Sequence, residues 1–139
     1  MIVQRTLDIP TRGRGLVELT RRVNEAVAAS TCVTGLCHVF LQHTSASLVL
    51  TENADPDVLT DLETVLSGIA RDGDPRYIHD AEGPDDMAAH LRSVLTSNSL
   101  QIPVGNGRLM LGTWQGLFLW EHRHAPHTRH LVITIIGEK

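Results

Sequence analysis

Between Tyr77 and His90 the chain reads YIHDAEGPDDMAAH. Two imidazoles, His79 and His90, bracket the carboxylates of Asp80, Glu82, Asp85 and Asp86, a density of titratable groups that folding alone does not require. Pro84 suits the first turn of a helix, where its missing N–H costs nothing. Asp85 and Asp86 then fall in that first turn and complement the positive end of the helix dipole. Met87, Leu91, Val94 and Leu95 recur at helical spacing and read as the buried stripe. His90 lies at the edge of the stripe, one turn beyond Asp86, while His79 and Glu82 lie on the loop before it. His79, Glu82 and His90 can therefore converge on one point.

A third imidazole comes from a strand. In Leu36–Gln42 the alternate residues Cys37, Val39 and Leu41 are apolar, and the alternation carries His43 to the same face. Three imidazoles with an open position suit a zinc-like ion. Their separations, 36 and then 11 residues, form no local motif. On spacing alone the three fit unrelated places better than a shared ion: a strand end, a loop and a helix flank, since polar loop residues are mostly just solvated. Cys37 cannot share an ion with His43, because six strand residues span roughly 20 Å.

Three further groups could carry chemistry. Glu52, Asp55, Asp57, Glu82, Asp85 and Asp86 could hold magnesium or exchange protons. Helix capping and the helix dipole account for Asp55 and Asp85 without any such role; Glu52 and Glu82 stay open. Arg123 and Arg129, with Glu121 and the neighbouring His122, His124, His127 and His130, could present planar forks to a phosphate or form a solvated hairpin tip. Gly112–Gly116, GTWQG, suits either a turn or a ligand-contacting loop.

The elements that must position these groups follow from pattern. Residues 2–9 alternate as a first strand ending at Pro10. TRGRG (Thr11–Gly15) is a basic loop, and Leu16, Leu19, Val23, Ala26 and Val27 mark a helix running to about Ser30. Leu36–Gln42 and Ala46–Thr51 read as a hairpin turning at Thr44–Ser45. Asp55 and Pro56 start a second helix that buries Val58, Leu59, Leu62, Val65, Leu66 and Ile69. Arg71–Gly83 is a long connection, of the kind that often carries function. Ser99–Val104, Arg108–Gly112 and Leu117–His122 are strands. Leu131–Gly137 closes the chain and is apolar on both faces, as a doubly buried strand would be. Short turns between neighbours favour antiparallel pairing. The expectation is an α+β fold, about seven mostly antiparallel strands in two sandwich-like sheets with three helices, forming one domain over residues 1–139.

Composition narrows the partners. The 139 residues suffice for one core, and a net charge of −4 argues against a dedicated nucleic-acid binder. MIVQRTLDIP lacks a signal-peptide core and no apolar run reaches membrane-spanning length, so a cytoplasmic protein with no membrane partner is expected. Cys32 and Cys37, the only two cysteines, read as reduced buried thiols.

Several blocks carry more than pattern. HTSAS (His43–Ser47), ENADPDV (Glu52–Val58), HDAEGPDDM (His79–Met87) followed by Ala89-His90, LGTWQG (Leu111–Gly116) and EHR (Glu121–Arg123) with a later Arg129 stand in order along the chain. Together they resemble the YjbQ-like family, whose members are described as secondary thiamine-phosphate synthases. The resemblance implies seven strands in two sheets and a homotrimer about a three-fold axis. It implies that His43, His79 and His90 meet, within or between subunits, around a divalent metal. It also implies a transferase that joins hydroxymethylpyrimidine diphosphate to thiazole phosphate. Glu82, Asp57 and Glu52 are then the candidate acids. Arg123, Arg129, Glu121, Trp114, Gln115, Thr44 and Ser45 are the candidate contacts to a small phosphorylated substrate. Imidazoles suit zinc, whereas phosphate chemistry usually uses magnesium on carboxylates. Two alternatives stand beside the transferase: a metal-dependent hydrolase of a phosphorylated or acyl metabolite, and a non-catalytic trimer that binds a small ligand.

Overall fold

The computed structural model describes residues 1–139. Its elements, in order, are β1 (Ile2–Pro10), β2 (Gly15–Glu18), α1 (Thr20–Ser30), β3 (Thr34–Leu41), β4 (Ala46–Glu52), α2 (Pro56–Ile69), α3 (Asp86–Leu95), β5 (Ser99–Gly105), β6 (Arg108–Leu109), β7 (Gln115–Glu121) and β8 (Thr128–Glu138). The fold is α+β, with eight strands in two antiparallel sheets. The larger sheet runs β1-β8-β3-β5-β6 and the smaller β2-β7-β4. One apolar core draws on both sheets and on α1, through Val23, Val27, Val39, Leu41, Leu48, Leu117, Leu119, Leu131, Ile133 and Ile135.

Four local expectations change. Leu16 and Val17 form β2 rather than the start of a helix, and pair with Trp120 and Leu119. Edge pairing with a buried strand outweighs the helical spacing that runs through them. β3 and β4 are not a hairpin: β3 pairs with β8 and β5, β4 with β7, and Gln42–Ser45 turns a corner between the sheets. β8 buries only one face fully, since Leu131, Ile133 and Ile135 point to the core while Ile136 is 49% exposed. The strand after Gly107 is two residues long rather than five.

The helices also turn differently from their apolar pattern. α3 buries Asp86, Ala88, Ala89 and Arg92, and leaves Val94 81% exposed. α2 buries Leu66 alone, with Val65 and Ile69 both mostly exposed. The reason is a polar layer. β7 is buried along Gly116–Glu121, its Leu117 and Leu119 facing the core. Trp120 meets α2, where its indole Nε1–H donates to Glu63 Oε2 at 2.6 Å. Arg92 of α3, fully buried, donates from Nη1 to Glu63 Oε1 and from Nη2 to Ser67 Oγ. A buried guanidinium needs a carboxylate partner, and that requirement rotates α3 so that its polar side faces inward.

Candidate metal centre

The connection between α2 and α3 is tied down by its own backbone. Gly73 N–H donates to Pro84 O at 2.8 Å, and Gly83 sits at φ +102°, a conformation open to glycine. The turn delivers Asp85 and Asp86 to the head of α3. Asp85 does not cap that helix with its side chain. Its carboxylate instead accepts from His124 N–H at 2.8 Å and from Arg123 Nε at 3.1 Å. Asp55, by contrast, does cap α2, accepting from Asp57 N–H at 2.9 Å.

Asp86 is the centre of the site. It is buried, and Arg123 Nη1 donates to its Oδ1 at 2.6 Å. Its Oδ2 lies 2.6 Å from His79 Nε2 and 3.1 Å from His90 Nε2. One ligand atom from each of His79, Asp86 and His90 lies within 4.8 Å of the others. Glu82 stands just outside, 3.6 Å from His79. Burial would raise the Asp86 carboxyl, but the bond from His79 and the charges of Arg123 and His90 hold it down at about 2. The hydrogen bond to Asp86 in turn pushes the His79 pKa up, against the effect of its own desolvation.

The donor count on His90 is decisive. Its Nδ1 lies 3.1 Å from the carbonyl oxygen of Thr44, which can only accept. Nδ1 therefore carries the proton, and in the neutral ring Nε2 points a lone pair at the Asp86 carboxylate. Two acceptors 3.1 Å apart call for a cation between them, a proton or a metal ion. An N–H given to a backbone carbonyl, and a carboxylate clamped by arginine, are the outer supports that metal-ligating groups usually have. The donor set fits a divalent ion of zinc type.

His43 lies elsewhere within the chain. Its Nε2 accepts from His130 N–H at 2.8 Å, and its Nδ1 lies 3.3 Å from Arg129 Nη1. Burial, then Arg129 and His130, lowers its pKa. Arg129 is itself buried, bonded from Nε to Glu121 Oε1 at 2.8 Å, from Nη2 to Glu121 Oε2, and from Nη2 to Ser45 Oγ at 2.9 Å. Thr11 donates to Glu121 Oε1 at 2.6 Å. Burial raises the Glu121 carboxyl, yet Arg129 and Thr11 bring its pKa below the ordinary value.

The remaining candidates separate into two places. Thr44 and Ser45 stand between the His90 and Arg129 clusters, and Arg123 commits Nε, Nη1 and Nη2 to Asp85, Asp86 and the Glu82 carbonyl. Glu52 pairs in register with Gln115, at the far end of the ladder that joins Ala46 to Glu121. Trp114 accepts from Asn53 N–H, and Asp57 opens α2 just beyond. Six strand residues put that group about 20 Å from Glu121 in the same chain. Sequence grouping places Asp86 with the acids rather than with the imidazoles. Its spacing from His90, one helical turn, is the signal that identifies it as their partner.

Comparison with known proteins sets the family. A model described as UPF0047 protein YjbQ-like matches residues 5–138. The chain is 51% identical over 135 residues to a UPF0047 protein of Synechocystis, covering 97% of this chain and 92% of that one. It is 42% identical over 139 residues to the UPF0047 protein YjbQ of Salmonella typhimurium, covering 99% and 100%. A conserved hypothetical protein of Thermus thermophilus superposes with a TM-score of 0.86 at 36% identity, covering 95% of this chain and 99% of that one. A YbjQ-like protein of unknown function from Sulfolobus solfataricus gives 0.86 at 26% identity, covering 99% and 100%. These relatives correct the functional expectation. They carry the family designation, the words unknown function or the words conserved hypothetical protein, and none is named for joining a pyrimidine to a thiazole. The thiamine-phosphate synthase assignment, with the transferase, hydrolase and simple binding readings weighed around it, has no support in them. What the whole-length match does establish is descent: the chain belongs to the YjbQ-like UPF0047 family.

Proposed function

We propose that the chain is a metal-binding protein whose His79, Asp86 and His90 hold one divalent cation of zinc type. The observation that carries this is the cluster itself: one ligand atom from each of His79, Asp86 and His90 lies within 4.8 Å of the others, and His90 Nδ1 is committed to the Thr44 carbonyl, which leaves Nε2 facing Asp86. Two imidazoles and one carboxylate favour zinc-like ions over magnesium, which prefers an all-oxygen octahedron. His79 is partly exposed, so the site keeps a side open to solvent or to a small oxygen-bearing ligand. A cation there supplies Lewis acidity toward whatever oxygen it binds. Asp86 sets the charge, His90 fixes its own tautomer through Thr44, and Arg123 orients the carboxylate.

The test is zinc titration of the chelator-treated protein, read by calorimetry and by elemental analysis after dialysis. One ion per chain is expected. Asp86→Asn, which keeps the shape and removes the charge, is expected to lower affinity at least about a hundredfold. Zinc binding that survives intact in both Asp86→Asn and His79→Ala sinks the reading.

We infer also that the chain self-associates, as the family resemblance implies for a trimer. Val65 and Ile69 on α2 are 62% and 63% exposed, and Ile78, beside His79, is 96% exposed. An apolar surface of this kind close to a polar site is a common mark of an interface. Light scattering at working concentration reads the mass, and a monomer value rejects this part alone.

A further inference from the structure

Two cavities border the cation site, and their walls differ in charge. His79 lines one of about 390 Å³ together with the carboxyl-bearing Asp74 and Asp80. His90 lines the other, of about 410 Å³, whose wall carries no carboxylate, lysine or arginine. Its only ionisable side chains are His43 and His90, and neither has a nitrogen to spare. His43 uses Nε2 with His130 N–H and Nδ1 with Arg129, while His90 uses Nδ1 with Thr44 O and Nε2 with Asp86. No charged donor therefore faces this cavity.

The hydroxyls of this wall are biased as well. Ser93 Oγ donates to Ala46 O at 3.1 Å, Thr96 Oγ1 to Arg92 O at 2.7 Å and Ser97 Oγ to Ser99 O at 2.6 Å. A hydroxyl has one hydrogen, so with that hydrogen spent each of these oxygens has only acceptor capacity left. The Thr44 hydroxyl and the Asn98 amide, neither bonded within the chain, add donors at exposed positions. An ionised phosphate or carboxylate can only accept, and it meets spent hydroxyls with no cationic side chain among them. An ammonium group finds no carboxylate in the wall to balance it. A neutral polyol donates and accepts at every hydroxyl and so matches the whole set. We propose that this cavity binds a small neutral polyhydroxyl compound, a sugar or sugar alcohol, held by the oxygens of Ser93, Thr96 and Ser97 and by the Asn98 amide. A polyol held there stands beside His90, the residue that the cavity shares with the cation site.

The test uses metal-free protein and therefore stands or falls apart from the cation reading. Amide NMR spectra are recorded during titration with glycerol, ribose and glucose, each beside its phosphate monoester. The signals of Ser93, Ser97 and Asn98, with the Asn98 side-chain amide, should shift saturably with at least one neutral compound. Its phosphate ester should bind at least about threefold more weakly. Val94 belongs to the same wall and is 81% exposed, so Val94→Trp fills the cavity without disturbing the core and should abolish the titration. Ser93→Ala removes one acceptor and should weaken binding about three- to tenfold, with its fold checked by circular dichroism. No saturable shift with any of the three neutral compounds, equal or tighter binding of the phosphate esters, or a titration unaltered in either variant overturns the proposal.

Discussion

Asp86 answers to three partners at once: two imidazoles on Oδ2 and one guanidinium on Oδ1. If Arg123 orients the carboxylate for a cation, Arg123→Ala should weaken zinc affinity about 10–100-fold while the saturating stoichiometry stays at one. Calorimetry separates the two quantities, and an unchanged affinity removes Arg123 from the support. His122 makes a different claim, about stability. It is fully buried, with Nε2 2.8 Å from Ser47 Oγ and Nδ1 unpartnered. Burial, then Arg92, Arg14 and Arg129, pushes its pKa down from 6.5 to about 3. Between those values the unfolded chain holds a proton that the folded chain refuses. Stability is therefore full above pH 6.5 and drains as pH falls toward 3, by at most about 1.4 kcal/mol per pH unit. Urea midpoints across that window should fall less steeply in His122→Gln than in the wild type; parallel profiles would refute the assignment. The Asp86 contribution goes the same way but only below its ordinary 3.8, and His43 and His79, shifted down and up, contribute alike in both proteins, so it is the difference between wild type and His122→Gln that isolates His122. Composition flagged the titratable cluster at Tyr77–His90, and the helical turn between Asp86 and His90 was there to be read. The place of His43 was not, because a ring at a corner between two sheets is aimed by the corner and not by strand alternation.

At the scale of elements, legibility tracks how local the deciding interaction is. Asp55 and Pro56 start α2 as their types dictate, because a cap is a contact between near neighbours. The inward residues of β3 follow strict alternation, because β3 lies within a sheet that covers one core. The inward face of α3 did not follow its apolar spacing, since Arg92 needed Glu63 from another helix. The pairing of β3 was likewise hidden, as its partners β8 and β5 lie far along the chain. One feature of that ladder has a sharp energetic consequence. Gly35 and Gly137 face each other across β3 and β8. A Cβ on Gly35 would stand 2.1 Å from Ile136 O and 2.8 Å from Gly137 Cα; on Gly137, 2.2 Å from Thr34 O. These obstacles are backbone and cannot swing away. Gly35→Ala should therefore destabilise the protein by about 1–3 kcal/mol, read as a lower urea midpoint. The cation site should be spared, for Gly35 lies at the end of β3 remote from Leu41 and His43. A midpoint equal to that of the wild type would show that the two strands part easily there.

For the molecule as a whole, the apolar pattern of the sequence outruns what one chain buries. α2 spaces Val58, Leu59, Leu62, Val65, Leu66 and Ile69 as a helix with a core-facing stripe does, yet only Leu66 is buried. The outward face of the larger sheet repeats the excess with Ile2, Leu36, Phe40 and Ile136 exposed. A sequence records that a residue avoids water, and it does not record whether shelter comes from its own chain or a neighbour's. If α2 packs against another copy, Val65→Lys with Ile69→Lys should lower the mass found by light scattering toward that of one chain. Each substitution removes roughly 1.5–3 kcal/mol of burial from such a contact and sets like charges against each other there. Neither residue is buried within the chain, so the circular dichroism spectrum and the urea midpoint of the separated chain should persist. Two results decide the matter. A folded double variant of reduced mass places the interface on α2, whereas a variant with the mass of the wild type leaves the exposed stripe without an intermolecular role.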